Sequence, residues 1–129
     1  MDSRTLLPEG WLPPVGYANG IDVAAGRIVF IAGQVGWDTQ QRFHSEAIAP
    51  QFDQALANVL AVLAEAGTGP EHVAKLTIYL AAGVDPGSAY AATRSVWGDH
   101  RTAVTVLAVT PARPGALVEI EAVAMLPGH

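Results

Sequence analysis

Two carboxylates lie two residues apart in "VEIEAVA", residues 118 to 124. On a strand the side chains alternate, so Glu119 and Glu121 project from one face, opposite Ile120 and Ala122. Side by side they repel one another unless water or a cation relieves them. Partial burial of one would give the kind of carboxyl group that general acid–base chemistry uses. The same spacing also suits a solvent-facing strand. Tyr17 and Trp37 bracket the first expected hairpin and could line a pocket or simply pack. Arg42, Arg94, Arg101 and Arg113 could grip an anion, although an arginine in a loop is usually just solvated. Arg101 stands at the mouth of an apolar stretch, "DHRTAVTVLAV".

Other chemistries lack their residues. His44, His72, His100 and His129 are widely spaced, with no cysteine partner, and read as surface residues rather than metal ligands. No phosphate loop or dinucleotide fingerprint occurs, and "GTG" at 67–69 follows a helix instead of opening one. The serines have no nucleophile-elbow setting. Neither a metal nor a cofactor is expected. Seven Lys and Arg residues against a net charge of −5 form no basic cluster, so no nucleic-acid partner is expected. The first residues lack an apolar signal region, no run approaches a membrane span, and there are no cysteines. The expectation is a cytoplasmic protein with no membrane partner.

The elements that must position these groups can be read from periodicity. At 129 residues the chain suits one domain, with an irregular Pro- and Gly-rich arm over 1–16 and the domain over 17–127. Strands are expected at 17–24 and 27–35 around the turn "AAG". Gly33 and Gly36 mark a bulge or a close backbone approach. In "APQFDQALANVLAVLAEAG" the residues Phe52, Leu56, Val59, Leu60 and Leu63 form a buried helical stripe, with Gln51, Asp53, Gln54 and Asn58 toward water. Gly67 is placed to end this helix. A strand at 73–81, a second helix closing near Gly98, and strands in "AVTVLAVT" and "LVEIEAVAML" complete the order β-β-α-β-α-β-β. Two helices can cover only one face of one sheet. The other face is also apolar, and half the chain is apolar against 15% charged, which predicts a multimer.

The stretches "VGYANGIDV", "IVFIAGQVGWD", "QFDQALANVLAVLAEAG", "VAKLTIYLA" and "GALVEIEAVAML" together resemble the RidA/YjgF family of enamine/imine deaminases, formerly labelled endoribonuclease L-PSP. The resemblance covers about residues 15 to 127. It implies an α+β, chorismate-mutase-like fold, one mixed sheet covered on one face by two helices. It also implies a homotrimer whose sheets form a barrel, with small-molecule clefts between adjacent subunits. In that family an arginine on the penultimate strand binds the carboxylate of an α-imino acid. A glutamate of the "EIE" motif places the water that attacks the imine carbon, without a cofactor. Carried over by position, the glutamate is Glu119 and a tyrosine bordering the cleft is Tyr17. Gly33 and Trp37 join them as lining residues, and Ala32 stands where the family has a serine. An asparagine common near the second helix is replaced by Tyr90 or Ala91.

The arginine departs from the pattern. Counting back from Glu119 without a gap puts its position at Val104, and that of the family's cysteine at Val106. A rival register makes Arg101 the gripping residue but needs three extra residues in "TPARPGA". Positions 101 and 104 face opposite ways in a regular strand and stand roughly 10 Å apart along it. Arg101 therefore cannot serve from Val104's place. The gapless register is preferred, with Val104 and Val106 entering an apolar cleft beside Tyr17 and Glu119, as in a branch lacking the arginine. The function expected is a RidA-like deaminase or hydrolase of an enamine- or imine-type metabolite. A ligand-binding trimer without catalysis, or a chaperone-like scaffold, are the alternatives.

Overall fold

The computed structural model describes residues 3–15, 17–24, 26–98 and 100–127. His129 and Asp99 lie outside these, as does the side chain of Tyr90. Among the described residues the order is β1 (Ser3–Leu6), β2 (Gly20–Val23), β3 (Gly26–Val35), α1 (Ile48–Glu65), a 3-10 turn (Pro70–His72), β4 (Val73–Ala81), α2 (Gly87–Trp97), β5 (Ala103–Val109) and β6 (Val118–Pro127).

β3, β6, β4 and β5 form one mixed sheet in that order. β6 runs antiparallel to both its neighbours, whereas β4 and β5 are parallel. A parallel pair needs a crossover, and α2 supplies it. α1 lays Phe52, Ala55, Leu56, Val59 and Leu63 onto the same face. There they meet Leu76, Ile78 and Leu80 of β4 and Val118, Ile120, Ala122 and Ala124 of β6, all buried.

The expected polar face of α1 is only partly polar in use. Gln51 is 1% exposed rather than solvated. Its Nε2 donates to Ser45 O at 2.8 Å and Gly115 O at 2.9 Å, and its Oε1 accepts Leu117 N–H at 2.8 Å. Asn58 is half-buried and donates to Val35 O and Trp37 O, both at 2.9 Å. Both residues thus satisfy backbone groups at the end of β3 and in the loops beside α1. The helix stops as expected. Gly67 takes φ +82°, and Thr68 N–H reaches Leu63 O while Gly67 N–H reaches Ala64 O, a Schellman closure.

The N-terminal arm is not wholly irregular. β1 pairs antiparallel with β2, Ser3 opposite Val23 through Leu6 opposite Gly20. The outer face of the main sheet carries no helix among the described residues. Phe30 is 76% exposed there, with Ile28 and Leu107 also open. No helix among the described residues is long and apolar enough to cross a membrane.

Candidate functional site

Glu119 lies on the bare face of the sheet, where the β6 burial alternates between buried even and half-buried odd positions. Glu121 shares that face, as the spacing predicts. β4 presents Tyr79 opposite Glu119 and Thr77 opposite Glu121. The Tyr79 hydroxyl donates to Glu121 Oε1 at 2.5 Å. This bond, with burial and the charges of both glutamates, holds the phenol above its ordinary pKa of 10.0. Glu121 therefore already has a partner, whereas the Glu119 carboxylate makes no side-chain hydrogen bond or ion pair among the described residues and faces open space.

That space is shaped by the end of β3. The ladder with β6 slips between Ile31 and Gln34, so Ala32 and Gly33 bulge. A Cβ on Gly33 would stand 2.0 Å from Glu119 Oε2, so the carboxylate occupies room that only glycine leaves. Gly36 is used likewise, since its Cβ would fall 2.3 Å from Gln51 O and hold α1 off the sheet. Both expected glycine roles, bulge and close approach, are realised.

A pocket of about 330 Å³ opens between Gly33, Val35, Trp37, Ala112, Arg113 and Glu119. A second, of about 290 Å³, continues past Glu119 and Ala112 to Tyr79, Thr110 and Glu121. Ala32 borders a third, of about 420 Å³, with Phe30, Lys75, Thr77 and Glu121. The three share lining residues in sequence, so the bare face is one interrupted groove with Glu119 near its end. Trp37, Gly33 and Glu119 are brought together, with Ala32 beside them.

Val104 and Val106 are not brought to Glu119's face. The parallel register sets Val104 beside Leu76 and Val106 beside Ile78, and both pack against the core under the helices. Ala103, Thr105, Leu107 and Val109 are the β5 residues on the side of Glu119, with Leu107 beside Tyr79. The reason is strand alternation: "AVTVLAV" is apolar on both sides, so its pattern did not reveal which side faces the helices.

Arg101 precedes β5 in the connector from α2. Its Nη1 donates to Gly98 O at 3.2 Å and His100 O at 3.3 Å, satisfying carbonyls at the helix end. Ala103 pairs with Lys75, while Glu119 pairs with Tyr79, four residues along β4. At strand rise that separates their levels by roughly 13 Å. Arg101, two residues before Ala103, is further still, so within one chain it is not beside Glu119. Tyr17 belongs to the same far end, because the next residue, Ala18, bridges to Ala103 and its N–H reaches Thr102 O at 3.0 Å.

The histidines do structural work. His100 Nε2 bonds Val73 O at 3.0 Å, and His72 Nδ1 bonds the Thr68 hydroxyl. Both are half-buried, unlike the exposed His44. Among the described residues no cluster of three or more His, Asp or Glu could hold a metal ion.

Sequence reading grouped Arg113 with loop arginines, yet it lines the pocket of Glu119, its guanidinium 5.2 Å from the Trp37 ring centre. Tyr79 falls within the strand expected at 73–81, where nothing singled it out. Its period-two spacing from Thr77 and Lys75, matched to the Glu pair, was the available signal.

The chain has known counterparts. The family model described as Endoribonuclease L-PSP matches residues 12–126. A RutC family protein of Synechocystis is 38% identical over 121 residues, 88% of this chain and 89% of its own. The crystal structure of a protein of unknown function of the Rid family from Yersinia pestis superposes with TM-score 0.85 at 31% identity, covering 98% of this chain and all of that one. RidA from an Antarctic Psychrobacter superposes at 0.72 with 24% identity over 95% and 99% of the two chains, a likeness of fold. Matched over nearly its whole length by family model, relative and structure alike, the chain belongs to the RidA/YjgF family.

Proposed function

We propose that the protein is a cofactor-independent deaminase that hydrolyses a small imine- or enamine-type metabolite, with Glu119 as the group that places and activates water. The observation that carries this reading is the Glu119 carboxylate, seated in the gap at Gly33 and turned to an open pocket. Water held by this carboxylate attacks the imine carbon and gives a proton to Glu119. The same carboxyl then returns a proton to nitrogen. The carbinolamine so formed passes its hydroxyl proton by way of the same carboxylate to nitrogen as the carbon–nitrogen bond breaks, so that ammonia leaves and a carbonyl compound remains.

The homotrimer belongs to this proposal. The groups that the family resemblance assigns to one cleft are split between two ends of this chain, Tyr17 beside the start of β5 and Glu119 at the other end of the sheet. Neighbouring copies would join one end to the other. Such packing would also cover Ile28, Phe30 and Leu107, whose exposure on one face is costly for a lone subunit. A cytoplasmic setting completes the reading.

The test is ammonia release from freshly generated imines, with sedimentation equilibrium for the trimer. The expected result is turnover that falls by about a hundredfold or more in Glu119→Gln, the usual size of an acid–base contribution. Turnover unchanged in that variant sinks the assigned role. Ligand-dependent stabilisation with no turnover on any imine would favour the binding-only alternative.

A further inference from the structure

We propose that Lys75 of each copy pairs with Glu121 of the neighbouring copy, and that this ring of ion pairs fixes how the bare sheet faces meet. The inference rests on the homotrimer reading above and adds the residues that specify the joint.

Lys75 is the chain's only lysine, every other Lys or Arg position being arginine. Lysine is ordinarily a solvated residue. This one stands on β4, an inner strand of the sheet, in the middle of the bare face. The edges of that face are apolar, with Ile28 and Phe30 of β3 and Leu107 of β5 exposed. The inner strands place Lys75, Thr77 and Glu121 between them. Lys75, Glu121 and Phe30 line one cavity of about 420 Å³. A copy that covers Phe30 therefore closes over both charges. An ammonium shut away from water needs a counter-charge.

None comes from its own chain. The ion pairs among the described residues are Arg4–Asp22, His44–Asp38 and His72–Glu71, and none includes Lys75 or Glu121. Lys75 Nζ donates to Thr105 Oγ1 at 2.6 Å, across on β5. The side chain thus leans toward the β5 edge, away from β6 and its own Glu121. Glu121 is held from the other side. Tyr79 donates to its Oε1 at 2.5 Å, which orients the carboxylate and leaves Oε2 without a donor among the described residues.

The joint proposed above brings the start of β5 to the neighbour's Glu119. Ala103, at that start, is paired with Lys75, so the ammonium is carried along. Of the two carboxylates it meets, Glu119 is seated at Gly33 and turned to its own pocket. Glu121 lies two residues further in on β6 and opens into the cavity that bears Lys75's own position. Cyclic symmetry then gives each copy one such pair on either side, and the enclosed charges cancel.

The experiment is coupling of the intact protein with a water-soluble carbodiimide, which joins an ammonium to a touching carboxylate as an amide. With a single lysine in the chain, peptide mass spectrometry reads the joined residues directly. Denaturing gels are expected to show bands of two and three copies carrying a Lys75–Glu121 amide. Lys75→Arg should remain trimeric by sedimentation equilibrium yet lose those bands, because a guanidinium keeps the charge and does not couple. Lys75→Glu and Glu121→Lys should each raise the concentration at which the trimer dissociates by about a hundredfold or more. The double exchange should restore most of that loss, which simple misfolding of either single variant does not allow. A monomeric wild type overturns the proposal. So does an amide confined to single chains, an amide to any other carboxylate, bands that persist in Lys75→Arg, or a double exchange no better than the singles. Ammonia release, followed in parallel, separates the two readings. A trimer that forms the amide without turnover leaves this inference standing and removes the deaminase. Turnover by a trimer that forms no such amide does the reverse.

Discussion

Gly33 and Glu119 are neighbours across the β3–β6 bulge at a separation that no side chain on residue 33 would permit, a Cβ there lying 2.0 Å from Glu119 Oε2. The atoms it would strike belong to the far part of a flexible side chain, not to backbone. Gly33→Ala should therefore move the carboxylate rather than unfold the domain. The expected outcome is turnover lowered toward that of Glu119→Gln, with stability changed by less than about 1 kcal/mol. Denaturant unfolding beside ammonia release checks both halves. A stable variant with wild-type turnover would show that the seat of Glu119 is not needed.

Gln51 is buried and makes three hydrogen bonds to backbone. Gln51→Leu keeps the volume and removes every one of them, leaving Gly115 O and Leu117 N–H without their partner. The expected loss is about 2–4 kcal/mol, the range for stranding buried polar groups. Urea unfolding measures it.

Tyr79 donates to Glu121, and its phenol is held above 10.0, first by that bond. A raised pKa stabilises the fold while the phenol stays protonated. The contribution is thus present below pH 10 and is lost as pH climbs through the higher folded value. Alkaline titration of phenolate absorbance should show one late step, absent in Tyr79→Phe and moved back toward the ordinary position in Glu121→Gln. A late step that survives in Tyr79→Phe would refute the assignment.

Asp38 closes the loop after Trp37. His44 Nε2 bonds its Oδ2 at 2.6 Å, and the N–H groups of Gln40 and Arg42 bond its Oδ1. The His44 bond, then the two backbone donors, lower its pKa from 3.8 to about 2. A lowered carboxyl pKa contributes stability that is present above the unfolded value and lost as pH falls through the folded one. The gap in melting temperature between wild type and Asp38→Asn should hold near neutral pH and close as pH falls from about 4 to 2. A gap independent of pH would mean that the charge of Asp38 contributes nothing.

Much of the fold was legible because period and punctuation agree along most of the chain. β4 spans the expected 73–81, and the helix ends at Gly67 because only a residue tolerant of positive φ closes it so tightly. β1 was missed, since "SRTL" is short and polar and gains its partner only through β2, with Arg4 meeting Asp22 at 3.2 Å. Gln51 and Asn58 were assigned to water because their types are usually exposed. The loops that they hold approach α1 only in the folded chain.

Local composition alone determined the two helices and the five strands β2 to β6, the same-face placement of Glu119 and Glu121, and a sheet with one bare side. Each follows from side-chain alternation or helical repeat, which act over a few residues. Tertiary structure alone decided which side of β5 meets the helices, that Arg101 binds the carbonyls ending α2, and that Arg113 joins Trp37 and Glu119 in one pocket. Those outcomes depend on strand register and loop closure between residues tens of positions apart, and no local pattern carries that information.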